Sequence, residues 1–156
     1  MSDDKSTQAK KIVSKYTKGI AVVGLLPLPL VDALVISGAQ LKMLQSLSQL
    51  YEVTFTEVKG KAVLSALLGS VLPLSLRTSL FSLFKANPVV AAVAGSLSMS
   101  AFSSASTYAI GKVFILHFES GGTLLNFDSE KMREYYQQQL VVVKNEAIVN
   151  YVGVKP

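Results

Sequence analysis

Between Lys85 and Lys112 the chain runs for twenty-six residues, 86–111, without one charged side chain. A helix rises about 1.5 Å per residue, so a stretch of that length reaches across a hydrocarbon core of about 30 Å. Such a segment is satisfied inside a protein core or in lipid, and this restricts the fold more than anything else in the chain. Asn87 and Pro88 look like its helix start, and "SGG" after Glu119 supplies a left-handed cap. Small residues recur along it at four-residue intervals, Ala92, Ser96, Ser100 and Ser104, with Ser103, Thr107 and Gly111 on a neighbouring strip. Strips of this kind let another helix approach closely, in lipid or in a tight soluble bundle.

Two shorter apolar stretches are broken by proline. In "GLLPLPLVDAL", Pro27 and Pro29 end a first helix predicted over about 6–25, because each pushes the residue before it out of the α region. Pro29 suits the first position of a second helix, about 29–52, whose opening turn holds Asp32 against the positive end of the dipole. Leu30, Leu34, Leu41, Leu44, Leu47 and Tyr51 follow at the spacing of one buried face. "TFTE", with Thr54 and Glu57, has capping-box spacing and starts a third helix. Residues 62–76 are uncharged and contain Gly69 and Pro73, so a break is expected there, then a short helical piece through Phe84. Asp128 caps a final amphipathic helix through Tyr151, with extended chain as the alternative for its tail from Val141.

No segment reads convincingly as a strand. The expected fold is therefore all-α, a compact bundle of four to six helices with proline-broken apolar hairpins, associated with a membrane. Its expected organisation is a polar, basic helix start over residues 1–18, an apolar helical domain over 19–119, and a polar C-terminal helix and tail over 120–156. Residues 1–18 precede any apolar run, so no cleavable secretion signal is expected.

Half of the 156 residues are apolar and only 16% are charged, against about a quarter in ordinary soluble domains. With no cysteine and one histidine, His117, thiolate chemistry and a multi-histidine metal site are excluded within one chain. Neither Gly60-Lys61 nor Gly111-Lys112 has the flanking glycine and hydroxyl of a phosphate-binding loop. His117 reads as a capping or interfacial residue. No catalytic, cofactor or metal residue is assigned, and the chain is not expected to be an enzyme.

The net charge of +5 comes from the apolar part of the chain: residues 5–112 hold eleven Lys and Arg against three acids. Lys15, Lys18, Lys42, Lys59, Lys61, Lys85 and Lys112 border the apolar segments, where cations suit an anionic lipid surface. They suit a solvated rim around a helical bundle as well. Nucleic acid is not an expected partner, because no aromatic-lined basic cleft is evident.

"LPLPLVDALVISGAQLKMLQSLSQLYEV" resembles the opening of the YcjF-like domain of unknown function, through Pro27, Pro29, Asp32, Gln40, Met43, Leu44, Leu50 and Tyr51. "STYAIGKVFILHFESGGTLLNFDSEKMREYY" is similar to that domain's closing region, through Tyr108, Gly111, Gly121, Gly122 and Asp128. The resemblance covers roughly residues 20–136. It implies a helical, membrane-associated bacterial module that accompanies a small GTPase-like domain, although this chain contains no GTPase motif. The expected role is a non-catalytic scaffold or adaptor at the bacterial inner membrane, self-associating and working with a GTPase partner. A cytoplasmic helical binding module, burying its apolar faces in its own core or in an oligomer, is the alternative, and an insertable pore-forming protein is a third.

Overall fold

The structure is a computed structural model that describes the backbone of residues 2–23, 29–71 and 88–152, and the side chains of 4–23, 34–70 and 103–143. Five helices account for nearly all of it: α1 (Ser2–Val23), α2 (Pro29–Leu50), α3 (Glu57–Val71), α4 (Pro88–Glu119) and α5 (Ser129–Val152). Among the described residues there is no strand, and the fold is the expected all-α bundle.

Sequence chemistry sets most of the helix ends. Pro29 opens α2 as its first residue. The C-terminus of α4 is a Schellman cap: Gly121 takes φ +81°, its N–H donates to Phe118 O at 3.0 Å, and the Gly122 N–H donates to His117 O at 2.8 Å. Asp128 caps α5, its Oδ1 accepting from the N–H groups of Glu130 at 3.1 Å and Lys131 at 3.3 Å. The tail that read two ways is helical through Val152.

Two ends depart from expectation. The N-cap of α3 is Thr56, whose Oγ1 accepts from the Lys59 N–H at 3.3 Å; the box expected between Thr54 and Glu57 does not form. The cap is shifted because the Phe55 ring lies over the bare backbone of Gly60, a hydrophobic contact across the helix start. Glu57, thereby placed first in the helix, pairs with Lys61 at 2.6 Å instead. The end of α2 is a second Schellman cap, with the Glu52 N–H on Gln49 O at 3.2 Å and the Val53 N–H on Ser48 O at 2.8 Å. Here the left-handed residue is Glu52, at φ 59°, where glycine is usual. α3 continues through Gly69 to Val71, so the expected break does not fall at Gly69, and Pro73 and the helical piece through Phe84 lie outside the described residues.

Contacts fix the helix directions. α1 and α2 are antiparallel, joined by Lys5–Glu52 at 2.8 Å and by the Tyr16 and Ser46 hydroxyls at 3.5 Å. α4 runs antiparallel to α1, with Ser104 Oγ donating to Thr17 O at 3.3 Å, and parallel to α2, with Gln40 on Thr107 and Tyr51 on Glu119. α5 turns back along α4, bringing the Tyr136 and Ser106 hydroxyls to 2.7 Å. The bundle thus has a base, holding the start of α1 and the α2–α3 and α4–α5 loops, and a far end, where α1 and α3 finish and α2 and α4 begin.

One core is shared by all five helices: Val13 of α1, Met43, Leu44 and Leu47 of α2, Leu67 of α3, Ile110 and Phe114 of α4, and Tyr136 of α5 are essentially inaccessible. α1 and α4 come closest at Gly111, where an added Cβ would overlap the Val13 side chain. The apolar face expected on α2 holds at Leu44 and Leu47, with Leu41 and Tyr51 half-buried. It fails at Leu34, which is 79% exposed.

Candidate membrane-facing surface

Large apolar side chains are exposed at both ends of the bundle: Val58, Leu116 and Leu125 at the base, and five others toward the far end. Val22 closes α1, Leu34 and Val35 lie near the start of α2, and Val141 and Val142 sit on α5 beyond Tyr136; all five are exposed. Val141 is five residues past Tyr136, about 8 Å further from the base. Water does not favour a rim of large aliphatic side chains, whereas lipid or another apolar surface does.

Among the residues with described side chains, the acids lie at the opposite end. Asp4, Glu52, Glu57, Glu119, Asp128 and Glu130 lie at helix ends or loops of the base, with Glu134 one turn above. Four ion pairs tie cations down there: Lys5–Glu52, Lys61–Glu57, Lys131–Asp128 and Arg133–Glu130. Lys10, Lys11, Lys15, Lys18 and Lys42 are exposed, Lys59 and Lys112 half-buried, and none of the seven enters an ion pair among the described residues. Lys10, Lys11, Lys15, Lys18, Lys42 and Lys112 form a belt between the acidic base and the apolar rim, while Lys59 sits in the first turn of α3, at the base. Of the lysines singled out in the sequence, Lys15, Lys18, Lys42 and Lys112 join this belt, Lys59 lies at the base, Lys61 is paired there with Glu57, and Lys85 lies outside the described residues.

Several base groups are held by their surroundings. Burial, then the hydrogen bond from its hydroxyl to Glu119 Oε1 at 2.8 Å, pushes the Tyr51 phenol well above its usual range. Hydrogen bonds and charge from Lys5 and Lys61 hold Glu52 and Glu57 below the ordinary carboxylate range. Asp128 is lowered first by the Lys131 backbone N–H, then by the same lysine's ammonium. His117 is buried, its Nε2 is 2.9 Å from Thr123 O, and Phe127 meets its ring edge-on at 5.2 Å. Gly122 lies so close beneath the imidazole that no side chain would fit, so His117 pins the α4–α5 loop.

The bundle interior carries a polar seam that periodicity alone did not reveal. Gln40 Nε2 donates to Thr107 Oγ1 at 3.1 Å, and Thr107 Oγ1 donates to Ser103 O at 2.7 Å. Ser106 and Tyr136 continue it toward α5. Gln40 and Gly111, candidates from the sequence, both act at helix contacts. Pro29 is placed as the start of α2, while Pro27 and the side chain of Asp32 fall outside the described residues. In the small-residue strip only Ser104 has a described side chain, and it packs on α1 of the same chain; Ala92, Ser96 and Ser100 do not have described side chains.

Where its side chains are described, from Ser103 to Gly111, the charge-free run turns Ser103, Ser106, Thr107, Ala109, Ile110 and Gly111 to the core, the first of the two settings expected for it. Among the described residues no helix is long and apolar enough to cross a membrane. Nor do the described residues bring three or more metal-ligating side chains together. A shallow depression on α5, lined by Glu134, Gln137, Gln138 and Val141, is open to solvent.

Comparison with known proteins adds a relative and a family. Magnetosome membrane protein 22 of Magnetospirillum gryphiswaldense is 35% identical over 132 residues, which cover 84% of this chain and 68% of the relative. No solved structure matches. The family described as domain of unknown function DUF697 matches residues 2–145, from the first residue of α1 into the second half of α5. That span takes in every helix contact described above, and the chain belongs to this family of unassigned function.

Proposed function

We propose that the chain is a non-catalytic membrane scaffold, which inserts the far end of its bundle into an anionic bilayer and holds its base in water for a partner. The observation that carries this reading is the order along the bundle axis among the residues with described side chains: five of the eight exposed large aliphatic residues, Val22, Leu34, Val35, Val141 and Val142, toward the rim, lysines without an ion pair among the described residues beneath them, and acids with their ion pairs at the base. An anionic bilayer has the same order, with hydrocarbon inside and negative headgroups at the surface. The name of the relative, a magnetosome membrane protein, supports a membrane setting. The bacterial inner membrane, self-association and a GTPase-like partner belong to the same reading; the last rests on the YcjF-like resemblance. The acidic base and the polar face of α5 are the surfaces left for such a partner.

A soluble helical module is the second reading, favoured by the closed core that all five helices share. Flotation with vesicles separates the two. The scaffold reading expects the protein to rise with phosphatidylglycerol vesicles and more weakly with phosphatidylcholine. Protein that stays at the bottom of both gradients supports the soluble module.

A further inference from the structure

The lysine belt gives the bundle a direction across the membrane as well as a depth. Lys18 lies four residues before Val22 on α1, and Lys42 lies seven residues after Val35 on α2, both on the base side of the rim. Lys10, Lys11, Lys15, Lys59 and Lys112 lie on the same side, and none is neutralised by an ion pair among the described residues. The sequence between α3 and α4 holds two cations, Arg77 and Lys85. Lysine and arginine beside apolar segments are retained on the cytoplasmic side of bacterial inner membranes, while acids count for little in that choice. The anionic cytoplasmic leaflet attracts the same residues.

We infer that the base of the bundle projects into the cytoplasm and that the belt lies on the anionic headgroups of the cytoplasmic leaflet. This rests on the membrane reading and adds the side from which the bundle enters.

The chain has no cysteine, so a single introduced thiol reports its own position without background. Leu125→Cys marks the exposed α4–α5 loop of the base, with Ser120→Cys as a second site in the same loop, and Leu34→Cys marks the rim. The full chain carrying one thiol is produced in bacterial cells and treated with a membrane-impermeant maleimide. Leu125→Cys and Ser120→Cys are expected to label about tenfold faster in inverted inner-membrane vesicles than in intact spheroplasts. Leu34→Cys is expected to stay unreactive in both until detergent is added. Faster labelling of the loop thiols from outside the spheroplast overturns the sidedness and leaves the membrane reading standing. Leu34→Cys reacting as fast as Leu125→Cys in vesicles overturns the membrane reading, and the sidedness with it.

Discussion

Gln40 and Thr107, sixty-seven residues apart, are joined by a buried hydrogen bond of 3.1 Å that sets the register of α2 against α4. Thr107 passes its own proton to Ser103 O, so its hydroxyl is satisfied on both sides. This makes the two partners unequal. Gln40→Leu removes a donor and leaves Thr107 bonded to Ser103, which costs about 1 kcal/mol. Thr107→Val strands the buried Gln40 amide and costs about 1–3 kcal/mol. Thermal or denaturant unfolding of both variants and the double variant checks this; the pair together is expected to lose less than the sum of the two.

The contact between Gly111 and Val13 predicts a rescue. Gly111→Ala drives a methyl into a β-branched side chain anchored on α1 and is expected to cost about 1–3 kcal/mol. Val13→Ala frees the space, so the double variant is expected to be more stable than Gly111→Ala alone. Unfolding midpoints of the three variants decide it; no rescue means that the close approach is not what constrains position 111.

The left-handed Glu52 stores backbone strain that glycine would relieve. A non-glycine residue in this region costs about 1–2 kcal/mol, partly offset by the greater chain entropy that glycine loses on folding. The exposed ion pair with Lys5 contributes little to set against this. Glu52→Gly is therefore expected to raise the melting temperature, whereas Gly121→Ala, at φ +81° with open space around it, is expected to lower it.

Stability is expected to fall at both ends of the pH scale. Glu52, Glu57 and Asp128 titrate lower in the folded chain than in the unfolded one. Their contribution is present above the unfolded carboxyl range, about 4, and is lost as pH falls through the depressed values. Tyr51 is raised, so its contribution is complete below the ordinary tyrosine value of about 10 and is lost as pH rises above it. Melting curves across pH should show a plateau between, with Asp128→Asn flattening the acid limb and Tyr51→Phe the alkaline one.

Lysines of the belt should matter to lipid and not to folding. Replacing Lys15, Lys18 and Lys42 by Gln is expected to weaken binding to anionic vesicles by about 1 kcal/mol each. Added salt should diminish the difference, because the interaction is screened. Unfolding midpoints should stay where they are, since the three side chains are exposed and make no ion pair among the described residues. Vesicle co-sedimentation beside a thermal melt measures both.

The fold was legible where a single residue type fixes a backbone choice. Pro29, the paired Gly121 and Gly122, and Asp128 each mark a helix end that the structure places as expected. It was not legible where tertiary packing chose between neighbours. Nothing local favours Thr56 over Thr54 until Phe55 lies on Gly60, and nothing in a glutamate announces a left-handed residue. Leu34 matched the apolar period of α2 and is still exposed, because periodicity names a face and not what lies opposite it. The lysines were legible as a set from the sequence, but separating Lys61 from the others required the position of Glu57.

Alkaline carbonate extraction of membranes from cells that make the full chain tests insertion of the far end most directly. The protein is expected to remain in the membrane pellet and to need detergent to be dispersed. Quantitative release into the wash, as a monomer stable without detergent, would contradict it.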